Sequence, residues 1–336
     1  MQKFLTAILA LVLMNISSAS HANDSEAETS LGGLVLKQSE HISMDSEDLY
    51  ISAKQVRVKY RFTNTSDKDV TTLISFPLPT LPDDDEEVYY FIGAPDFDTL
   101  NFKTMVDGKP APLTMVNRAM IGDRDVTARV KALGWPVNWL GNHGYEWPFD
   151  KMTAEQRQPF IDEGLIRKVV YDGPAWFPAW KIARHVTRKQ TFPAGKTVSV
   201  EHSYEPLIGG SAGGPLNKSI RESEPEYLKS YQDRYCVDDH FVRGFDRRSA
   251  ATGRNDQQFY TETWIGYILS SGANWKGPIK DFRLVVDKGS TDNLVSFCMD
   301  GVKKIGPTQF EVRKTNYEPN QDLNILIVKW WDLNQG

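Results

Sequence analysis

The chain has 336 residues, 40% of them apolar and 25% charged, and its formal net charge is −5. These values fit a folded globular protein and exclude a disordered chain, a collagen-like fibre and a multi-span membrane protein. The weak acidity argues against general nucleic-acid binding, which needs a basic excess.

The first segment reads as a secretory signal, residues 1–22. Lys3 supplies a positive start, and Phe4 to Met14 is an apolar run too short to cross a bilayer. Ser20-His21-Ala22 places small residues at −3 and −1 of a cut after Ala22. No cysteine follows the run to carry a lipid, and no later segment is apolar enough to span a membrane. Export brings Cys236 and Cys298 into an oxidising space, which predicts a disulfide between them. His240 lies near Cys236, but no further ligands stand at metal spacing, so no metal site is expected.

Beyond a polar start, the pattern from Leu31 is β. Val56, Val58, Tyr60 and Phe62 alternate with Arg57, Lys59 and Arg61, the period of a half-buried strand. Asn64 to Asp69 is a turn cluster, and Val70 to Phe76 reads as the returning strand of a hairpin, stopped by Pro77 and Pro79. The acidic run Asp83 to Glu87 is read as a solvated loop tip, with cation binding as the alternative. Asn101 to Val106 resumes strand character before the tight-turn pair Asp107-Gly108.

Residues 116–168 change character and predict a mainly helical, Trp-rich insertion. Asp125 to Leu133 carries helix formers and ends at Gly134. Thr153 and Gln156 fit a capping box for a helix from Ala154 to Glu163, with Pro159 expected to kink or shorten it. Lys181 to Phe192 and Thr197 to Tyr204 return to strands, with Val198, Val200 and His202 on one face, His202 reading as a hydrogen-bonded core histidine. Ser223-Glu224-Pro225-Glu226 reads as a second capping box, opening a short helix to Tyr235. From Gln257 five strands follow, at 259–270, 279–287, 294–299, 309–315 and 323–331, with turns at Gly277, Gly289 and Gly301. The fold class is therefore mainly β: two antiparallel sandwich-like domains with a helical insertion. The divisions are an N-terminal β domain at 23–115, the insertion at 116–168, a completing β segment at 169–215, a loop and short helix at 216–255, and a C-terminal β domain at 256–336.

Few residues suggest chemistry. Gly209-Gly210-Ser211-Ala212-Gly213 matches the nucleophile-elbow pattern, but the following Gly214-Pro215 is a poor helix start, and the only later histidine is His240. A flexible loop is the simpler reading, and backbone N–H groups holding an anion a third. His41, His143, His185, His202 and His240 are scattered at no metal-ligand spacing. Arg184, Arg188 and Lys189 lie on a strand; Arg243, Arg247, Arg248 and Arg254 read as a basic loop. Among nine Trp residues, Trp135, Trp139, Trp147, Trp176 and Trp180 cluster with Tyr145, Phe149, Tyr171 and Phe177. Either they build the core of the insertion or they present a ligand or partner surface, since flat aromatic faces stack on sugars and on side chains. Glu146, Asp150 and Asp172 are the nearest carboxylates for a paired-acid glycosidase mechanism.

Three stretches carry a family resemblance. The first runs from Ser46 to Ser52, through Val56-Arg57-Val58-Lys59-Tyr60-Arg61-Phe62, to Phe76-Pro77. The others are Asn274-Trp275-Lys276-Gly277-Pro278-Ile279 and Phe282 to Gly289 with Ser296-Phe297-Cys298. Together they resemble the bacterial exported family named domain of unknown function 4424, which implies an exported, periplasmic protein and, having no established activity, supplies no catalytic residues to carry over. Tyr60-x-Phe62-x-Asn64 with Phe76-Pro77-Leu78-Pro79 also resembles, over a short span, the β-sandwich interaction module of vault and inter-alpha-trypsin proteins. The expected function is non-catalytic binding in the cell envelope, to a protein or a glycan, without cofactor; a glycan-binding or glycan-hydrolysing enzyme is the alternative.

Overall fold

The computed structural model describes residues 25–30, 33–81, 100–140, 145–170, 174–251 and 260–330. The signal segment, the Asp83–Glu87 run, His143, Tyr171, Asp172 and Arg254 lie outside these residues.

Strands dominate. β1 (Ser25–Ser30) and β2 (Gly33–Lys37) pair antiparallel, as do β3 (Ile42–Ser52) and β4 (Val56–Asn64). In β4 the alternation decides the faces: Val56, Val58, Tyr60 and Phe62 are buried and Arg57, Lys59 and Arg61 exposed. β5 (Val70–Leu81) follows, then β6 (Lys103–Val106) and β7 (Lys109–Pro110), joined at Asp107 and Gly108. Both of those residues have positive φ, the conformation a two-residue hairpin turn demands. β8 (Thr114–Ile121) and β9 (Arg124–Asp125) lead into α1 (Thr127–Ala132), a short 3₁₀ turn at Pro148–Asp150, and α2 (Ala154–Asp162). β10 (Ile166–Val170), β11 (Pro174–Pro178), β12 (Lys181–Phe192), β13 (Thr197–Tyr204) and β14 (Ile208–Ser211) come next. Three helices follow: α3 (Lys218–Ser223), α4 (Pro225–Tyr235) and α5 (Asp239–Ala251). The chain returns to strands with β15 (Tyr260–Tyr267), β16 (Ile279–Asp287), β17 (Leu294–Phe297), β18 (Lys303–Lys304), β19 (Gln309–Tyr317) and β20 (Leu323–Trp330).

The largest sheet has eight strands in the order β18-β19-β16-β3-β4-β13-β6-β7. A six-stranded sheet runs β2-β1-β5-β12-β8-β9 and a four-stranded one β14-β15-β20-β17, while β10 and β11 pair alone. One hydrophobic core joins the three larger sheets. It takes Val58, Tyr60 and Leu284 from the eight-stranded sheet, Ile74, Phe76 and Val186 from the six-stranded one, and Ile265, Ile325 and Ile327 from the four-stranded one. Each such side chain, fully withdrawn from water, contributes roughly 1.5–3 kcal/mol before entropy is counted. His202 sits in this core as expected, its Nδ1 2.7 Å from Thr104 Oγ1.

The mainly β class with its helical insertion stands, and the details differ at five points. The division at residue 256 does not follow the sheets: β16 pairs parallel with β3, so strands on both sides of that boundary share one sheet and one core. Alternation identifies the buried face of a strand but not its edge partner. β4 and β5 are not a hairpin, because β4 pairs with β3 and β13 while β5 pairs with β1 and β12. The link between them crosses from sheet to sheet, held by the buried Asn64, whose Nδ2 donates to the carbonyls of Lys68 (2.7 Å) and Phe192 (2.9 Å). β5 also continues through Pro77 and Pro79 to Leu81. Two prolines spaced by two remove donors from one edge of the strand only. Residues 114–121 form β8 in the six-stranded sheet, so the helical segment begins later than 116. Finally, the described part of the segment 216–255, residues 216–251, carries three helices. Ser223 ends α3, and α4 starts from Glu224 without a side-chain cap. Arg243, Arg247 and Arg248 lie on α5, where Asp238 Oδ1 accepts the Phe241 N–H at 2.7 Å.

The predicted disulfide is present between Cys236 and Cys298, 62 positions apart. It fixes the left-handed residue that ends α4 to the chain just beyond β17. Among the described residues no helix is long and apolar enough to cross a membrane.

Candidate functional site

The tryptophan cluster is assembled by the insertion, β11 and the residues that lead into β12. α1 ends at Leu133, and Gly134 (φ +72°) turns the chain so that the Trp135 N–H bonds back to the Val130 carbonyl at 3.1 Å. The capping box predicted for α2 is formed, with Thr153 Oγ1 accepting from Gln156 and Gln156 Oε1 accepting from Thr153. α2 continues through Pro159. Trp135 stacks on Trp180 with centroids 6.2 Å apart and meets Phe149 edge-on at 5.6 Å. Trp180 Nε1 donates to the Val137 carbonyl and Trp139 Nε1 to the Trp180 carbonyl, both at 3.0 Å.

These bonds satisfy the indole N–H groups of Trp139 and Trp180, which are buried together with Trp135. Trp147 and Trp176 are different: both pack against the same core yet remain only half-buried. Trp147 stacks on Phe149 at 5.0 Å and meets Tyr145 edge-on at 4.7 Å. Trp176 lies on β11 opposite Lys168 of β10, with the Arg157 guanidinium 5.2 Å from its ring. Arg157 is itself fixed, donating to the Phe149 and Met152 carbonyls. Thus three of the five tryptophans make a rigid base, and two carry part of their aromatic surface outward.

Among the described residues, the other sequence candidates are not drawn into a catalytic set. Ser211 Oγ donates to the Gly213 carbonyl at 2.5 Å, and His240 is exposed in the first turn of α5. Glu146 is exposed and paired with Lys151 Nζ at 2.5 Å, and Asp150 is exposed. Arg184 and Arg188 are buried on β12, on the alternating face that also carries Val186, whereas Lys189 is exposed. On α5, Arg248 pairs with Asp292 at 2.8 Å. His185 is buried with Nδ1 3.1 Å from Ser75 Oγ; burial, aided by the charge of Arg118, lowers its pKa to about 4 and keeps the ring neutral.

One group escaped the sequence reading. Glu262 of β15 is 1% exposed, beneath α4. Its Oε2 accepts from Tyr231 Oη of α4 at 2.6 Å and from Trp264 Nε1 of its own strand at 2.9 Å. Burial raises its pKa to about 7, against the opposing hydrogen bonds from Tyr231 and Trp264. A single Glu among Thr261, Thr263 and Trp264 gives no periodic signal. Its register partner Ser211, in the Gly-rich loop, was the available hint.

The family described as Domain of unknown function (DUF4424) matches residues 22–326, nearly the whole chain. A solved structure from Legionella pneumophila, provisionally described as a nutrient binding protein, is similar at 16% identity and a TM-score of 0.45, covering 91% of this chain and 70% of its own. No curated protein matches.

Proposed function

The chain belongs to the DUF4424 family, and we propose that it is an exported, non-catalytic binding protein of the bacterial cell envelope, resident in the periplasm. The observation that carries this reading is the pairing of a rigid aromatic base with the two outward tryptophans, Trp147 and Trp176. Aromatic surface whose rotamers are already fixed by packing loses little entropy when a partner covers it. Export rests on the Lys3 to Ala22 segment and agrees with the cysteine pair.

The test is a photo-crosslinking residue placed in living cells at Trp147, at Trp176 and, as a control, at the exposed Ile305. Adducts with one and the same envelope component from 147 and 176, absent from 305, are the expected result. Fractionation of the same cells should place the protein in the periplasm. Equal labelling from all three positions would overturn the reading.

The second reading, glycan recognition through the same residues, is favoured by the setting of Trp176, whose ring has Arg157 beside it and Lys168 across the strand pair. A cation beside a flat indole suits an acidic sugar. Soluble wall fragments should then quench tryptophan fluorescence in the wild type and not in Trp176→Ala, and fragments that emerge shortened would favour a hydrolase.

A further inference from the structure

Glu262 has no part in the tryptophan surface, and its surroundings are arranged on one side only. Oε2 takes both hydrogen bonds, from Tyr231 and Trp264, while Oε1 is buried without a donor. Tyr260 Oη, nearby on the same strand, is also buried without a partner, and the Ser211 hydroxyl is turned to Gly213. What faces Oε1 is the backbone of Gly214: a Cβ built there would lie 2.7 Å from it. A glycine C–H points to this side and supplies no strong donor to a negative oxygen.

The elements packed around the carboxyl bring no countercharge. α4 contributes Tyr231, flanked by Tyr227 and Tyr235; α5 contributes Phe245 against Tyr260; β14 contributes Ser211; and β20 places Val328 opposite. Among the described residues Glu262 forms no ion pair, and burial raises the Tyr231 and Tyr260 pKa values, so both stay protonated. A buried carboxylate with donors on one oxygen and no cation is a costly charge, and its neutral form is favoured.

We propose that Glu262 is a proton-binding latch. Protonated, it lets α4 and the glycine loop close over the four-stranded sheet; ionised, it favours their lifting away. The Cys236–Cys298 bond tethers the C-terminal end of α4, so the loop 209–217 and the start of α4 are the parts that lift. The direction follows from linkage. Burial raises the carboxyl from its ordinary 4.5 to about 7, so the stability it lends the closed form is complete below pH 4.5. That contribution is lost as pH climbs through 7.

The experiment is hydrogen exchange on the intact, oxidised protein, reported as protection factors so that the intrinsic pH dependence of exchange cancels. Between pH 5 and pH 8 the open population of 209–217 and of the first turns of α4 should rise by about 50- to 100-fold, since each pK unit is worth about tenfold. Protection in the core strands β4 and β13 should stay flat. Glu262→Gln, which keeps the shape and cannot ionise, should abolish the dependence. Flat protection of α4 in the wild type, or an unchanged dependence in Glu262→Gln, would overturn the latch. If Glu262→Gln does not fold, the glutamate side-chain carbon shift in the wild type decides: a midpoint near an ordinary glutamate would overturn the proposal equally.

Discussion

Two segments cover strands with aromatic side chains, and they handle polarity in opposite ways. The insertion packs on Leu81, Ala119 and Ile182 of the six-stranded sheet, and its buried indoles donate to backbone carbonyls nearby. Helices α4 and α5 pack on Tyr260, Leu326 and Val328 of the four-stranded sheet, and a tyrosine of α4 and a tryptophan of β15 both donate to one buried carboxyl. A cover whose buried indole donors end on backbone carbonyls has no titrating group at those bonds. A cover pinned by one ionisable group is conditional. The first suits a fixed binding platform and the second a moving part.

The comparison breaks most visibly at Trp180. Trp180→Ala removes a 1% exposed indole, its stack on Trp135 and the donor to Val137. We expect a loss of about 3–5 kcal/mol in urea unfolding, with no new pH dependence. On the other side, replacing Cys236 and Cys298 with Ser removes a cross-link over 62 positions and should cost about 2–4 kcal/mol. That loss should be accompanied by weaker exchange protection throughout α4 and unchanged protection of α2. A loss spread evenly over both helices would mean that the two covers are one cooperative unit.

Gly214→Ala sharpens the contrast inside the second cover. The new Cβ would stand 2.7 Å from Glu262 Oε1, and the carboxyl is held in place through Oε2 by Tyr231 and Trp264. Overpacking of this kind costs about 1–3 kcal/mol. Pairing it with Glu262→Ala removes the obstructing oxygen, so the two effects should be less than additive in thermal denaturation. Additivity would show that the loop yields elsewhere.

The legible and illegible parts divide along similar lines. The alternation of β4 and β13, the Asp107-Gly108 turn, the α2 capping box and the cysteine pair are local signals, and each is present as read. Partnership between distant strands was not readable. The parallel pairing of β3 with β16 and the crossing from β4 to β5 depend on which edges meet in space. α5 was missed because its arginines suggested a loop, while its buried contact is carried by one residue, Phe245, with Phe241 and Val242 partly buried beside it. Within the tryptophan cluster the sequence located the aromatic residues, but not the hydrogen bonds to the Val137 and Trp180 carbonyls that hold Trp180 and Trp139 inward. Glu262 carries no pattern of its own, and burial beneath a helix far along the chain gives it its chemistry.

The smallest effect contrasts the starts of the two covering helices. α2 opens on Thr153, whose hydroxyl accepts the Gln156 N–H while Gln156 returns a bond to the Thr153 N–H. α4 opens on Glu224 with no side-chain bond to its first turn, and Pro225 removes one donor that would otherwise need a partner. Thr153→Ala should therefore cost about 1 kcal/mol, and Glu224→Ala distinctly less, in urea denaturation at pH 6. An equal cost would mean that the start of α4 is held by contacts of its own in the closed form. In that case the lifting of α4 would have to begin in the glycine loop, with the helix following.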